Sequence, residues 1–317
     1  MNPFAPAIGL YRHRHTVLSM GTLAAAGLRA NDQSPIPEDF ASRSEVSGRV
    51  PMVHHALLKD FMRVTKAEPS HFRQTDGSMI VPPTFYVTWA MAALADAVVK
   101  LDLPYNYARV LHSASEVRFT RPLLVDEVSY FTTRVCAIDD NAFRAKIRVE
   151  GVVTERDSRG AEIFRNTMEL HVPKPAKREK RSKQREASII ERTMRPLAEL
   201  KMGKRLGTDY ALVSGDFNPV HWAMPAALAM GFKSTFVQGY ATKAMAAHAI
   251  VKQLLRGKAT DLTSLRVEFR KPILLPSRVS VFVGEPHEQN GEQVRSLAVG
   301  KSLEGEAYVT GSFSYKS

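Results

Sequence analysis

Apolar and polar residues alternate through four stretches in each half of the chain. In the first half these are 114–119, 127–138, 142–154 and 163–172; in the second they are 264–269, 278–285, 292–302 and 305–315. The run Ala145-Lys146-Ile147-Arg148-Val149-Glu150-Gly151-Val152 shows the pattern most clearly. A period of two puts one set of side chains on a buried face and the other in water, so each stretch predicts a strand of a half-buried antiparallel sheet. Asp139-Asp140-Asn141 and Gln289-Asn290-Gly291 read as hairpin turns between such strands. Ahead of each group lies a stretch of a different kind, 88–101 and 241–255, rich in the helix formers Ala, Met, Leu and Lys. Both are apolar on most faces, which predicts helices enclosed on nearly all sides. A buried helix followed by a run of antiparallel strands is an α+β unit whose sheet curls around the helix.

The two halves repeat one pattern. VRFTRPLLVDEVSYF, starting at Val117, and VEFRKPILLPSRVSVF, starting at Val267, align on Pro122 and Pro272, with one extra residue late in the second block. Ala90-Met91-Ala92-Ala93 matches Ala244-Met245-Ala246-Ala247 upstream. A repeat of about 150 residues is too long for a solenoid and reads as a duplicated domain, whose two sheets can pair. The organisation expected is an N-terminal extension over 1–45, a first domain over 46–172, a basic linker over 173–195 and a second domain over 196–317.

Composition narrows the class. The 317 residues are 44% hydrophobic and 24% charged, as in a globular protein with an ample core. The single Cys136 excludes an internal disulfide and any multi-cysteine zinc site. The formal net charge of +12 invites a nucleic-acid or membrane partner until its location is considered. KPAKREKRSKQR, residues 174–185, holds seven basic residues and one acid, and residues 1–31 add Arg12, Arg14 and Arg29 with no acid. Most of the excess therefore lies outside the two patterned halves. The basic run is too poor in apolar residues to fold by itself, so it reads as a solvated linker, and nucleic acid is not the expected partner. Residues 16–28, TVLSMGTLAAAGL, follow a basic stretch. They are too short to span a bilayer and are interrupted by Ser19, Thr22 and two glycines, so an amphipathic or loosely docked helix in a cytoplasmic protein is expected.

The chemistry concentrates in Ser214-Gly215-Asp216-Phe217-Asn218-Pro219-Val220-His221. Five residues of regular helix would turn Asp216 and His221 about 140° apart. Pro219 keeps Asn218 from helical geometry and Gly215 permits a sharp bend, so a tight loop can face both side chains into one cavity. Asn218 can fix that loop by bonding its backbone. The segment 226–230 then reads as a short helix ended by Gly231. A carboxylate and an imidazole in one pocket form a general acid/base pair. Too few ligands lie nearby for a metal, and no nucleophile elbow is present for serine hydrolysis.

This string, with Tyr210 before it and Ala227 and Gly231-Phe232 after it, resembles the signature of the MaoC-like, or R-specific enoyl-CoA hydratase, family of hot-dog proteins. The resemblance is specific in the second half and extends to the first only through the hot-dog pattern; the layout is similar to double-hot-dog 3-hydroxyacyl-thioester dehydratases. It implies a double hot dog, two antiparallel sheets each wrapped around a long helix and paired as a pseudo-dimer, so a homodimer is compatible but not required. It implies that Asp216 and His221 hold the catalytic water or the substrate hydroxyl, that Ser214, Gly215, Asn218 and Pro219 support the loop, and that the Gly239 amide, at a helix N-terminus, receives the thioester oxygen. The family places a His-Gly pair there; this chain has Gln238-Gly239, and Gln238 is assigned with Gly239 to substrate binding. The implied reaction is hydration and dehydration of an acyl thioester borne on CoA or an acyl carrier protein, with no metal and no cofactor beyond that carrier. Residues 56–72 of the first half contain Asp60, Glu68 and His71 but no Asp-x-Asn-Pro-x-His. One active site per chain is therefore expected, with the first hot dog shaping an acyl tunnel whose wall includes the helix Trp89-Ala90-Met91-Ala92-Ala93-Leu94. The competing readings are a non-catalytic acyl-thioester binder, a hot-dog thioesterase and a DNA-binding regulator.

Overall fold

The computed structural model describes residues 13–29, 36–107, 110–157, 159–174 and 187–316. Apart from Lys174, the basic run lies outside the described residues. Lys174 itself pairs with Asp140 and stands 5.4 Å over the Tyr105 ring.

Helices α1 (Arg14–Arg29) and α2 (Phe40–Arg43) precede the first unit. That unit comprises β1 (Val46–Arg49), α3 (His55–Thr65), α4 (Val87–Val99), β2 (Leu111–Phe119), β3 (Ser129–Asp140), β4 (Arg144–Glu155) and β5 (Glu162–Pro173). The second comprises β6 (Arg195–Met202), α5 (Leu206–Ser214), α6 (Met224–Ala229), α7 (Gly239–Gln253), β7 (Leu262–Phe269), β8 (Ser277–Val283), β9 (His287–Gln289), β10 (Glu292–Gly300) and β11 (Ala307–Tyr315). The eight alternating stretches are all strands and the two helix-forming stretches are the central helices α4 and α7. In α7 every residue from Tyr240 to Val251 is buried, which matches its all-round apolar sequence. The turn at Asn290-Gly291 takes positive φ at both residues, as a tight hairpin requires. At the other hairpin, Asn141 Oδ1 accepts the amides of Phe143 and Arg144.

Among the described residues the strands form one antiparallel sheet in the order β1-β3-β4-β5-β2-β7-β11-β10-β8-β6, with β9 on β10. The two units therefore join edge to edge where β2 meets β7. The alignment of Pro122 with Pro272 also equates Glu116 with Arg266, and these two residues face each other across the seam. A pseudo-twofold axis thus passes between them, and the fold is the double hot dog expected. Tyr86 and Tyr240, equivalent in the alignment of the central helices, meet near this axis with rings 6.0 Å apart. Phe61 of α3 and Tyr210 of α5 do the same at 6.1 Å.

Candidate active site

The segment that carries Asp216 and His221 begins where α5 stops. Gly215 caps the helix with φ 82°, a left-handed conformation that a side chain resists. Ser214 Oγ donates to the Tyr210 carbonyl at 2.8 Å and accepts the Asp216 amide at 3.2 Å. Asp216 Oδ1 accepts the Asn218 amide at 3.3 Å, and Asn218 Oδ1 accepts the Val220 amide at 3.3 Å. Asn218 thereby caps a single 3-10 turn, Pro219–His221, with Pro219 at the position whose missing N–H costs nothing. The turn carries His221 back toward Asp216. Asp216 Oδ2 and His221 Nε2 lie 3.8 Å apart, with side chains 20% and 10% exposed. The two residues proposed from sequence are brought together on one cavity wall.

The histidine's orientation is fixed from behind. Its Nδ1 lies 2.9 Å from the Phe236 carbonyl, and its ring packs edge-on to Phe236 at 4.7 Å. A carbonyl only accepts, so Nδ1 carries the proton and Nε2 is left for chemistry. Tyr210 lies behind the loop. Burial, reinforced by the charge of Asp216, holds its hydroxyl well above the usual phenol range, so it stays protonated.

Gly239 opens α7 and lines the same cavity. Its amide belongs to the first helical turn, which has no intrahelical acceptor and sits at the positive end of the helix dipole. A Cβ here would come within 2.8 Å of the Phe269 ring, so glycine lets that ring close against the start of the helix. The Gln238 side chain, assigned with Gly239 from the sequence, lies apart from it. It is buried and does not line the cavity; its Nε2 donates to the Gly207 carbonyl at 2.8 Å and toward the Asp216 carbonyl at 3.5 Å. The N-terminal turn of α5 lies beside it and draws the amide inward, so Gln238 ties the Asp216 loop to α5.

The cavity has a volume of about 750 Å³. Asp216, His221 and Gly239 stand beside Phe236, Tyr240 and Phe269, while Met91 and Leu94 of α4 and Met168 and Leu170 of β5 supply apolar wall from the first unit. The tunnel wall expected from α4 is thus present at Met91 and Leu94. Trp89 instead packs between Phe131 and Phe164. The sequence reading missed Met20 and Leu23 of α1, which line the same cavity.

The first unit keeps the backbone of a site without its chemistry. α3 ends in the left-handed Lys66, Thr65 Oγ1 bonds back to the Phe61 carbonyl at 2.7 Å, and a 3-10 turn Pro69–Phe72 follows. His71 corresponds to His221, but Lys66 or Ala67 stands where Asp216 would be. Phe85, equivalent to Gly239, fills the volume at the helix start and packs on Phe61 at 5.2 Å. The remnant lined by Phe119, Arg121 and Pro122, counterparts of Phe269, Lys271 and Pro272, measures about 20 Å³. That is scarcely room for one water.

Among the described residues, the double hot dog thus brings an Asp/His pair and a helix-terminal amide onto one cavity of about 750 Å³. Residues 185–307 match the MaoC like domain, and residues 32–164 match the FAS1-like dehydratase domain region. Each half of the chain thus matches a dehydratase family model, the second half the MaoC like domain and the first the FAS1-like dehydratase domain region. A Mycobacterium tuberculosis protein named 3-hydroxyacyl-thioester dehydratase X is 24% identical over 228 residues, 69% of this chain and 75% of the relative. The solved MaoC-like dehydratase of Phytophthora capsici superposes with a TM-score of 0.69 at 17% identity, covering 90% of this chain and 98% of that one. A Mycobacterium tuberculosis protein described as a double hot dog superposes with a TM-score of 0.57 at 11% identity, covering 86% of this chain and 95% of that one.

Proposed function

We propose that the protein is a hydro-lyase interconverting trans-2-enoyl and (3R)-3-hydroxyacyl thioesters, with the acyl group carried on CoA or on the phosphopantetheine of an acyl carrier protein. The observation that carries this is the Asp216–His221 pair, 3.8 Å apart, on the wall of a cavity that Gly239 also lines. An ionised Asp216 only accepts hydrogen bonds, and so does the Nε2 of a neutral His221. A water between them donates one hydrogen to each and is left with its oxygen lone pairs facing the substrate.

In hydration, that oxygen bonds to C3 of the enoyl group and the π electrons shift toward the thioester carbonyl. The Gly239 amide meets the negative charge on the carbonyl oxygen; a donor of this kind is worth about 10²–10³ in kcat. One O–H bond of the water breaks, its proton passing to the pair, and the pair returns a proton to C2. Dehydration is the reverse. The test follows loss of enoyl absorbance with crotonyl- and longer enoyl-thioesters. Asp216→Asn and His221→Ala are each expected to lower kcat by about 10²-fold or more without changing the circular dichroism spectrum. Near-normal turnover in both would overturn the assignment. Release of free thiol would place the protein among thioesterases instead.

A further inference from the structure

Helix α1 lies outside both family matches, the earlier of which begins at residue 32. Its buried positions His13, Thr16 and Leu23, with the partly buried Met20, fall three, seven and ten residues along and so share one helical face, while Leu18 points to solvent. The helix packs on α4, and this face also reaches two parts of the site. At its start the helix sits on the catalytic loop: a Cβ on Gly215 would meet His13 Nδ1 at 3.0 Å and Thr16 Cγ2 at 3.2 Å, and the His13 and Phe217 rings are 6.3 Å apart. Further along, Met20 and Leu23 line the cavity that holds Asp216 and His221. From Arg14 to Leu23 the helix advances about 13 Å, measured away from the loop where the chemistry would occur.

We propose that α1 sets the acyl-chain length this enzyme accepts, with Met20 and Leu23 as its gauge. The helix is anchored beside the reacting carbons by His13 and Thr16, and it presents those two side chains to the distal part of the same chain. A bulkier residue at either position shortens the space for the acyl tail; a smaller one lengthens it. This rests on the acyl-thioester reading of the cavity.

The experiment compares trans-2-enoyl-CoA substrates from four to sixteen carbons with the full chain and two variants. Leu23→Trp is expected to lower the ratio of kcat/KM for long over four-carbon substrate by tenfold or more. Met20→Ala combined with Leu23→Ala is expected to move the ratio the other way. Folding is read from thermal melting, so if Leu23→Trp does not fold, the double alanine variant decides. Ratios within twofold of the parent in every folded variant would overturn the proposal. If the parent hydrates no enoyl-CoA of any length, the hydratase reading is what fails. The same variants are then titrated calorimetrically with saturated acyl-CoA, and a chain-length dependence that ignores both substitutions overturns the role of α1 separately.

Discussion

A histidine whose Nδ1 is spent on a carbonyl has one nitrogen left for chemistry, and in His221 that nitrogen faces Asp216. The loop that achieves this has little freedom, because Ser214, Asp216 and Asn218 each accept a backbone amide within it. Gln238 adds a tether from outside. Its Nε2 holds the Gly207 carbonyl and reaches the backbone of Asp216, while its buried Oε1 has no partner. Gln238→Leu keeps the volume and removes both, so the expected loss of stability is modest, about 0.5–1.5 kcal/mol, the net worth of one such bond. Because the tether acts on the acid/base loop and not on substrate, kcat should fall several-fold while KM holds. Steady-state hydration kinetics beside a denaturation curve check this; a KM effect without a kcat effect would return Gln238 to the substrate. The direction of its side chain was not legible in the sequence, because it depends on where the first turn of α5 lies. The convergence of Asp216 and His221 was legible, because Gly215 and Pro219 leave that stretch few other shapes.

At the scale of elements, the strands and central helices could be read because each carries a period that one buried face imposes. α5 lay outside the predicted elements: LGTDYALVS is short, includes weak helix formers, and is held by burial of Leu206, Tyr210, Ala211 and Val213. β6 also lay outside the predicted elements, for a different reason. RPLAELKM is made mostly of helix formers, and its strand geometry comes from pairing with β8 at the sheet edge, where Pro196 sits beside an irregularity in register. α3 was also missed, although Leu58, Phe61, Met62 and Thr65 keep helical spacing. Within α7 the least expected residue is Lys243, wholly buried, whose Nζ donates to Ser115 Oγ at 2.8 Å and Tyr86 Oη at 3.3 Å. Burial lowers its pKa to about 7, against a smaller opposing pull from Glu116. Unfolded, the amine titrates near its ordinary 10.5. Between these values the unfolded chain binds the extra proton, so raising the pH from 7 toward 10 stabilises the fold through this group, by up to about 1.4 kcal/mol per pH unit. Lys243→Met should lack that slope. Urea denaturation of both proteins from pH 6.5 to 9.5 measures it, and parallel curves would show that Lys243 is charged throughout.

At the scale of the molecule, the two units are unequal partners in one sheet. The second supplies Asp216, His221 and Gly239 to the cavity; the first supplies Met91, Leu94, Met168 and Leu170, along with Tyr86 and Ser115 to Lys243. The seam closes two strand edges at once, with Val117 opposite Leu265 and Ser115 opposite Val267, all buried. Residues 187–317 alone would expose β7 as an open, apolar edge, and such an edge pairs with whatever strand is available. They should therefore elute from size exclusion as a self-paired dimer or aggregate and should not turn over long enoyl-thioesters, since half the cavity wall is gone. Co-expression with residues 1–174 should restore a one-to-one complex and the long-chain activity, because the seam needs no covalent link to form its register. A soluble monomeric second half with the rate of the full chain would mean that the first unit contributes neither fold nor substrate wall. The pseudo-twofold predicts otherwise on physical grounds: Phe85 has closed the first site, yet β2, α4 and β5 around it still present buried surface to the partner that kept its glycine.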